Sequence, residues 1–217
     1  MIIGERKPFD ETKENIKDYK KILVLGCGTC VSVCMAGGEK EVELLASQLR
    51  IAGGLEGKEV EISEATVQRQ CDREYIEPII DMAKGCDAVV SMACGAGVQM
   101  MAEMVVTLPV VPAINTCFIG VTEAEGAWSE RCRACGDCKL GSYGGICPVT
   151  ICAKGLLNGP CGGASLGKCE AGNNKDCAWE LIYQRLKQYR QLDNLNTFVM
   201  PLDHMLQAHP VSLMKEC

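Results

Sequence analysis

The chain has 217 residues, 47% of them hydrophobic, which is enough to bury one large core or two small ones. Its 22 basic and 28 acidic side chains give a net charge of −6, and this acidic balance argues against binding to nucleic acid. The longest apolar runs, near residues 22–25 and 108–114, are far shorter than the roughly 18 residues that cross a membrane. The first 20 residues lack the apolar stretch of a secretory signal, which predicts a cytoplasmic protein.

The N-terminal part alternates between short apolar runs and helical patterns. After a polar segment with a helix predicted over 11–20, strands are predicted over 21–26, 59–67, 87–92 and 108–114. Helices are predicted over 39–52, 72–84 and 95–105. Such alternation predicts a Rossmann-like α/β domain with a parallel sheet, which we place at residues 1–120.

Cysteines follow the end of each predicted strand. In chain order they are Cys27 and Cys30, then Cys71, Cys94 and Cys117. Because the carboxyl ends of parallel strands lie on one edge of the sheet, where such folds bind ligands, these thiols are expected to converge. The sequence therefore predicts a [4Fe-4S] cluster bound by Cys27, Cys30, Cys71 and Cys94.

The same edge has two reserve thiols and a glycine-rich loop. Cys34 and Cys117 are alternative ligands, whereas Cys86, at the opposite end of the third strand, is predicted to be structural. The loop GCGTC at 26–30 begins like a nucleotide-binding GxGxxG motif, but Val31 stands where the third glycine is required. A cluster is therefore favoured over a phosphate.

The segment 131–177 is the richest in cysteine and contains eight of the 16 cysteines. They are Cys132, Cys135, Cys138, Cys147, Cys152, Cys161, Cys169 and Cys177. The first three form CxxCxxC, and the fourth precedes Pro148, as in bacterial ferredoxins, although eight residues rather than three separate the third and fourth cysteines.

Eight thiolates suffice for two further four-cysteine sites. In ferredoxins the Cys-Pro cysteine binds the other cluster. One predicted site is therefore formed by Cys132, Cys135, Cys138 and Cys177. The other is formed by Cys147, Cys152, Cys161 and Cys169.

Disulfides, buried thiols and zinc compete with iron-sulfur clusters for these cysteines. Disulfides require an oxidising compartment, for which the N-terminus gives no indication. Cysteines that act as buried hydrophobes lie in apolar runs, whereas these lie among Gly, Lys, Asp and Asn. Zinc suits four thiolates equally well, although its sites are usually built from CxxC pairs, and it remains an alternative at one C-terminal site.

Residues 121–217 are predicted to form a second, loop-dominated domain. Residues 121–130 are predicted to be the hinge. An amphipathic helix after Cys177 has an apolar face formed by Trp179, Ile182, Leu186 and Tyr189. The apolar tail either wraps the body of the protein or docks on a partner, and its terminal Cys217 is predicted to be free. The two histidines, at 204 and 209, also lie in this tail, so metal chemistry here must use thiolates.

The cysteine-rich sequence resembles a known family. The run CPVTICAKGLLNGPCGG at 147–163, followed by GKCE and DCAWELIYQRLK, is similar to the C-terminal domain of certain methylenetetrahydrofolate reductases. Joined to LGCGTCVSVC at 25–34, it resembles the small MetV-type subunit that accompanies the flavoprotein subunit in acetogenic bacteria. The resemblance extends from Lys21 to about Leu192.

The resemblance implies a partner and an electron-transfer role. The partner is a TIM-barrel catalytic subunit that contains the flavin and the folate site, in the methyl branch of the Wood-Ljungdahl pathway. The small subunit would carry two to three [4Fe-4S] clusters and receive electrons from ferredoxin or a larger redox complex. The family domain has also been described as zinc-binding, so the alternative is a structural zinc-binding assembly subunit. In either case this chain is predicted to be a non-catalytic part of an oxidoreductase complex.

Overall fold

The computed structural model describes residues 1–172, 174–207 and 209–214, and divides the chain into two units, Met1–Trp128 and Ser129–Cys217. Its strands are β1 (Ile2–Arg6), β2 (Lys21–Cys27), β3 (Glu61–Val67), β4 (Ala88–Met92), β5 (Val110–Pro112), β6 (Ile114–Ala124), β7 (Ala127–Cys132), β8 (Ala164–Ser165) and β9 (Lys168–Cys169). Its α-helices are α1 (Phe9–Asn15), α2 (Cys30–Val33), α3 (Glu39–Leu55), α4 (Arg73–Ile76), α5 (Ile80–Lys84), α6 (Gly95–Met104), α7 (Pro148–Ile151) and α8 (Ala178–Tyr189). Cys217 lies outside the described residues.

A four-stranded parallel sheet forms the centre of the first unit, in the order β3-β2-β4-β5. This arrangement confirms the predicted α/β class. The chain moves outward from β2 to β3 and then crosses to β4 on the other side of β2. The crevice between β2 and β4 is therefore the topological switch point, where ligands bind in open α/β sheets.

Both faces of the sheet are covered, which explains why β2 is apolar without alternation. Ile22 and Val24 pack on one face against the apolar side of α3. Leu23 and Leu25 pack on the other face with Ile76. Consecutive residues of a strand point to opposite faces, so a strand buried on both sides needs apolar residues at every position.

The predicted fourth strand, 108–114, was only partly right. Val110–Pro112 joins the parallel sheet, but Ile114 already begins β6, which belongs to a second, antiparallel sheet in the order β1-β6-β7. Strand β1 was not predicted, because its partner β6 is more than 100 residues away and β1 has little apolar pattern of its own. Residues 121–130, predicted to be a hinge, lie largely in β6 and β7, and the division between the units falls within them.

Three predicted helices also differ from the observed ones. The first, predicted over 11–20, spans Phe9–Asn15. Helix α3 continues through Gly53 and Gly54 to Leu55 instead of ending at residue 52. A Cβ at Gly53 would lie 3.2 Å from the Val60 side chain, so this glycine allows close packing rather than ending the helix. The helix predicted over 72–84 is divided into α4, a 3₁₀ turn and α5 at Pro78, which has no amide hydrogen to donate.

The second unit has little regular structure apart from α8. Its core contains Tyr143, Trp179, Ile182 and Leu186, with the two aromatic rings edge to face at 5.6 Å. Trp179 Nε1 donates to Leu156 O at 3.1 Å, and Tyr143 Oη donates to Leu157 O at 2.9 Å. The predicted apolar face of α8 is confirmed for three residues, but Tyr189, at the end of the helix, is 52% exposed.

The apolar tail contacts the second unit at Asn158 and near Gly136. The Asn158 side-chain amide donates to Val199 O at 2.7 Å, and Val199 N donates to Asn158 Oδ1 at 2.8 Å. Several apolar side chains beyond Val199 are exposed, including Met205 and Leu213. No helix in the described ranges has the length and apolar character needed to span a bilayer.

Substitution of Gly37 tests how closely the loop after β2 packs against the sheet. A Cβ at this position would overlap the carbonyl oxygen of Met92, which is backbone and cannot rotate away. We expect Gly37→Ala to lower the free energy of unfolding by about 1–3 kcal/mol, measured by urea denaturation. Gly54→Ala is the matched control, because it adds a methyl group to open space within a helix and should raise stability by about 0.5–1 kcal/mol. Equal effects of the two substitutions would contradict this packing.

Candidate metal centres

The loop after β2 is held over the carboxyl edge of the parallel sheet by backbone contacts. Cys27 N donates to Gly37 O at 2.9 Å, and Gly28 N donates to Val67 O at 2.8 Å. Helix α2 begins at Cys30. Two glycines at this edge allow close packing: a Cβ at Gly26 would lie 2.6 Å from the Thr66 and Val42 side chains, and a Cβ at Gly37 would overlap the carbonyl oxygen of Met92.

A buried glutamine that sequence patterns did not reveal links β2 and β4 to the segment that follows β3. Gln70 is fully buried, and its Nε2 donates to Leu25 O at 2.8 Å and to Gly26 O at 3.0 Å. Its Oε1 accepts a hydrogen bond from Ser91 Oγ at 2.7 Å. Every hydrogen-bonding atom of the amide thus has a partner, and Gln70 fixes the backbone position of the adjacent Cys71. The sequence offered one indication of this role: Gln70 is a polar residue directly before Cys71, a predicted ligand.

Three of the predicted thiols lie near one another at the ends of β2, β3 and β4. Cys27 is buried and belongs to one apolar group with Cys94, which caps the N-terminus of α6. Cys71 is exposed, and the pKa of its thiol is raised by partial burial of the sulfur and then by the neighbouring Cys94 and Cys27. The proposed N-terminal ligand set, which also includes Cys30, stays a prediction.

The two alternative ligands belong to the antiparallel sheet and its neighbour α2. Cys34 Sγ accepts a hydrogen bond from Gly4 N at 3.4 Å, and burial raises the pKa of this thiol. Cys117 does not follow a parallel strand as predicted. It lies within β6 at a β-bulge opposite the step from Ile3 to Gly4, and it is exposed. Its neighbour Thr116 accepts a hydrogen bond from Gly95 N at 2.8 Å, directly after Cys94. Cys117 as an alternative ligand therefore stays a prediction.

Cys86 precedes β4 and lies at the amino end of that strand. Cys94 lies at the opposite, carboxyl end. The side chain of Cys86 is half-buried, and its Sγ donates to Met82 O at 3.5 Å. Burial raises the pKa of its thiol. This placement is compatible with the structural role that the sequence predicted.

Four cysteines of the second unit line a single cavity of about 180 Å³. They are Cys152, Cys161, Cys169 and Cys177. Cys152 follows α7, Cys169 ends the small hairpin of β8 and β9, and Cys177 caps α8. The cavity thus contains Cys177, which the sequence pattern assigned to the CxxCxxC site, and not Cys147.

The CxxCxxC loop presents its sulfurs at the surface. Cys132 and Cys138 are exposed, and Cys135 is half-buried. Ala134 N donates to Cys132 Sγ at 3.3 Å, and Ala134 itself has a φ of 52°. Gly136 has φ of 78°, which favours glycine, and so the loop makes two tight turns within the motif. Cys147, followed by Pro148 at the start of α7, is half-buried.

The thiols in the described part of the chain are free, with none of them in a disulfide. Among these same residues, no three Cys, His, Asp or Glu side chains are close enough together to hold a single metal ion. The donor set around the 180 Å³ cavity nevertheless fits an iron-sulfur cluster, since four cysteines are the usual ligands of [2Fe-2S] and [4Fe-4S] clusters.

Comparison with known families gives one match. The family model described as methylene-tetrahydrofolate reductase C terminal matches residues 111–205, which is less than half of the chain and includes all eight C-terminal cysteines. This part of the chain is therefore related to methylenetetrahydrofolate reductases, as its sequence resemblance predicted. Comparisons with curated proteins and with solved structures found no match.

Gln70→Leu tests whether the buried amide holds the Cys71 loop. Its loss leaves two carbonyl groups and the Ser91 hydroxyl without their partner, so the free energy of unfolding should fall by about 1–3 kcal/mol in urea denaturation. Cys71 should also react faster with a thiol reagent in the metal-free protein. Gln68→Leu is the control, because Gln68 is exposed, and it should change neither value. An unchanged rate for Cys71 in Gln70→Leu would contradict the anchoring role.

Proposed function

We propose that this chain is the electron-transfer subunit of a methylenetetrahydrofolate reductase. In this role it relays electrons through [4Fe-4S] clusters to the flavin of a partner catalytic subunit, in the methyl branch of the Wood-Ljungdahl pathway. The single observation that carries the proposal is the cavity lined by Cys152, Cys161, Cys169 and Cys177, within the segment related to this enzyme family.

The four-cysteine lining of the cavity suits an iron-sulfur cluster. The CxxCxxC triplet in the same unit also favours clusters over zinc, whose sites are usually built from CxxC pairs. A [4Fe-4S] cluster would bring four iron and four sulfide ions into this space, and it supplies a centre that gains and loses electrons.

Two further ligand sets complete the proposed relay. Because Cys177 belongs to the cavity, the second C-terminal site is left with Cys132, Cys135, Cys138 and Cys147, which exchanges Cys147 and Cys177 relative to the sequence-based assignment. The third site, at the edge of the parallel sheet, would use Cys27, Cys30, Cys71 and Cys94. Glycine amides near these sulfurs would influence the reduction potentials, since hydrogen bonds to sulfur stabilise the reduced state.

The chain's own residues favour electron transfer over catalysis of folate reduction. The sequence has two histidines, at 204 and 209, and both follow the last predicted cysteine ligand, Cys177, by more than 25 residues. Flavin and folate chemistry would then belong to the partner subunit. Ferredoxin or a larger redox complex would supply the electrons.

Metal analysis of the anaerobically purified chain tests the proposal. We expect about eight irons, with equal acid-labile sulfide, from the C-terminal sites, and about twelve if the N-terminal site is also filled. A visible absorbance band that bleaches on reduction should accompany the iron. Stoichiometric zinc with fewer than about four irons would instead support a structural zinc-binding assembly subunit.

Pairs of cysteine substitutions test which thiols share a site. Cys169→Ala and Cys177→Ala should each remove about four irons, and the double variant should lose no more, because the second ligand belongs to a site already empty. The Cys147→Ala and Cys169→Ala double variant should lose about eight irons. If instead the Cys147→Ala and Cys169→Ala double variant loses about four irons and the Cys169→Ala and Cys177→Ala double variant loses about eight, the sequence-based assignment is correct. Cys86→Ala is the control and should keep all the iron.

A further inference from the structure

An ion pair lies beside one of the four thiols of the cavity. Lys154 Nζ pairs with Glu170 Oε1, and Lys154 also lines the cavity. Cys161 Sγ lies 3.8 Å from Glu170 Oε1. The pair joins the segment after Cys152 to the residue that follows Cys169, and so it links two of the chain segments that supply the cavity thiols.

Gly163 leaves room for the Glu170 carboxylate. A Cβ on Gly163 would overlap the carboxylate group of Glu170, so any other residue at 163 would displace it. The backbone N–H of the same Gly163 donates to Cys161 Sγ at 3.4 Å. The exposed Cys161 therefore has an amide donor and a carboxylate next to its sulfur, and Lys154 pairs with that carboxylate.

Stability alone does not account for this arrangement. The two side chains are 44% and 46% exposed, and exposed ion pairs contribute little to the free energy of unfolding. Lys168 and Asp176 form a similar exposed pair in the same unit, but neither of them lines the cavity. The distinctive property of the first pair is its closeness to a cavity sulfur.

We infer that Lys154 and Glu170 are positioning residues that set the reduction potential of the cluster bound at Cys161, in opposite directions. This inference rests on the proposed function. Reduction adds one electron to the site, supplied by the donor protein or by dithionite in the experiment, and no covalent bond forms or breaks. A nearby cation stabilises the added negative charge, whereas a nearby anion destabilises it.

Two charge-removing variants give results of opposite sign. We expect Lys154→Met to shift the midpoint potential of this cluster to more negative values and Glu170→Gln to shift it to more positive values. The measurement is an EPR-monitored redox titration of the full chain, in which the signal of this cluster is identified by its loss in Cys169→Ala. Lys154→Arg keeps the charge and should restore a potential close to that of the original protein.

A purely structural ion pair would behave differently. Both variants would then lose iron or shift the potential in the same direction, and either result would overturn the inference, as would unchanged potentials in both. Lys187→Met is the matched control, because Lys187 is an exposed lysine of α8 that does not line the cavity, and the potential should stay unchanged in this variant. If the original chain lacks the cluster signal that depends on Cys169, the proposed function itself fails, and iron analysis reports this separately.

Discussion

The parallel pairing of β2 with β3 on one side and β4 on the other is the constraint on which the first unit depends. It brings the carboxyl ends of three strands, and therefore Cys27, Cys71 and Cys94, to one edge. At Gly37 the backbone lies so close to the carbonyl oxygen of Met92 that this position has no room for a side chain. The buried Gln70 amide then joins the strands at this edge through three hydrogen bonds.

The second unit also brings cysteines from separate chain segments together, but it does so with very little secondary structure. Its small aromatic and aliphatic core, centred on Tyr143 and Trp179, fixes the N-terminus of α8 and the segment 156–157. Cysteines on either side of these anchors consequently meet around one cavity. A core of this size contributes modest stability, and bound metal would add to it, since metal ligation supplies folding free energy in small cysteine-rich domains.

The electrostatics of the cavity connect structure to the proposed redox role. A thiolate ligand with an amide donor on one side and an ion pair on the other can be tuned by small changes in charge or hydrogen bonding. The similarity to the C-terminal domain of methylenetetrahydrofolate reductases extends over residues 111–205 and includes all four cavity cysteines. Under the proposed function, such tuning would adjust the potential at which electrons pass to the partner's flavin. The same segment carries part of the exposed apolar tail, including Phe198 and Met205.

Sequence alone determined the α/β class, most helices and strands of the first unit, the concentration of thiols in 131–177 and the family relationship of that segment. These features follow from local hydrophobic periodicity and from motif spacing, which a linear chain displays directly. Only the tertiary structure decided that β1 pairs with β6, that Cys117 lies within a strand, that Gln70 spans the sheet edge, and that Cys177 rather than Cys147 shares a cavity with Cys152. Each of these depends on contacts between residues far apart in the chain, and spacing along the chain does not encode which distant segments meet.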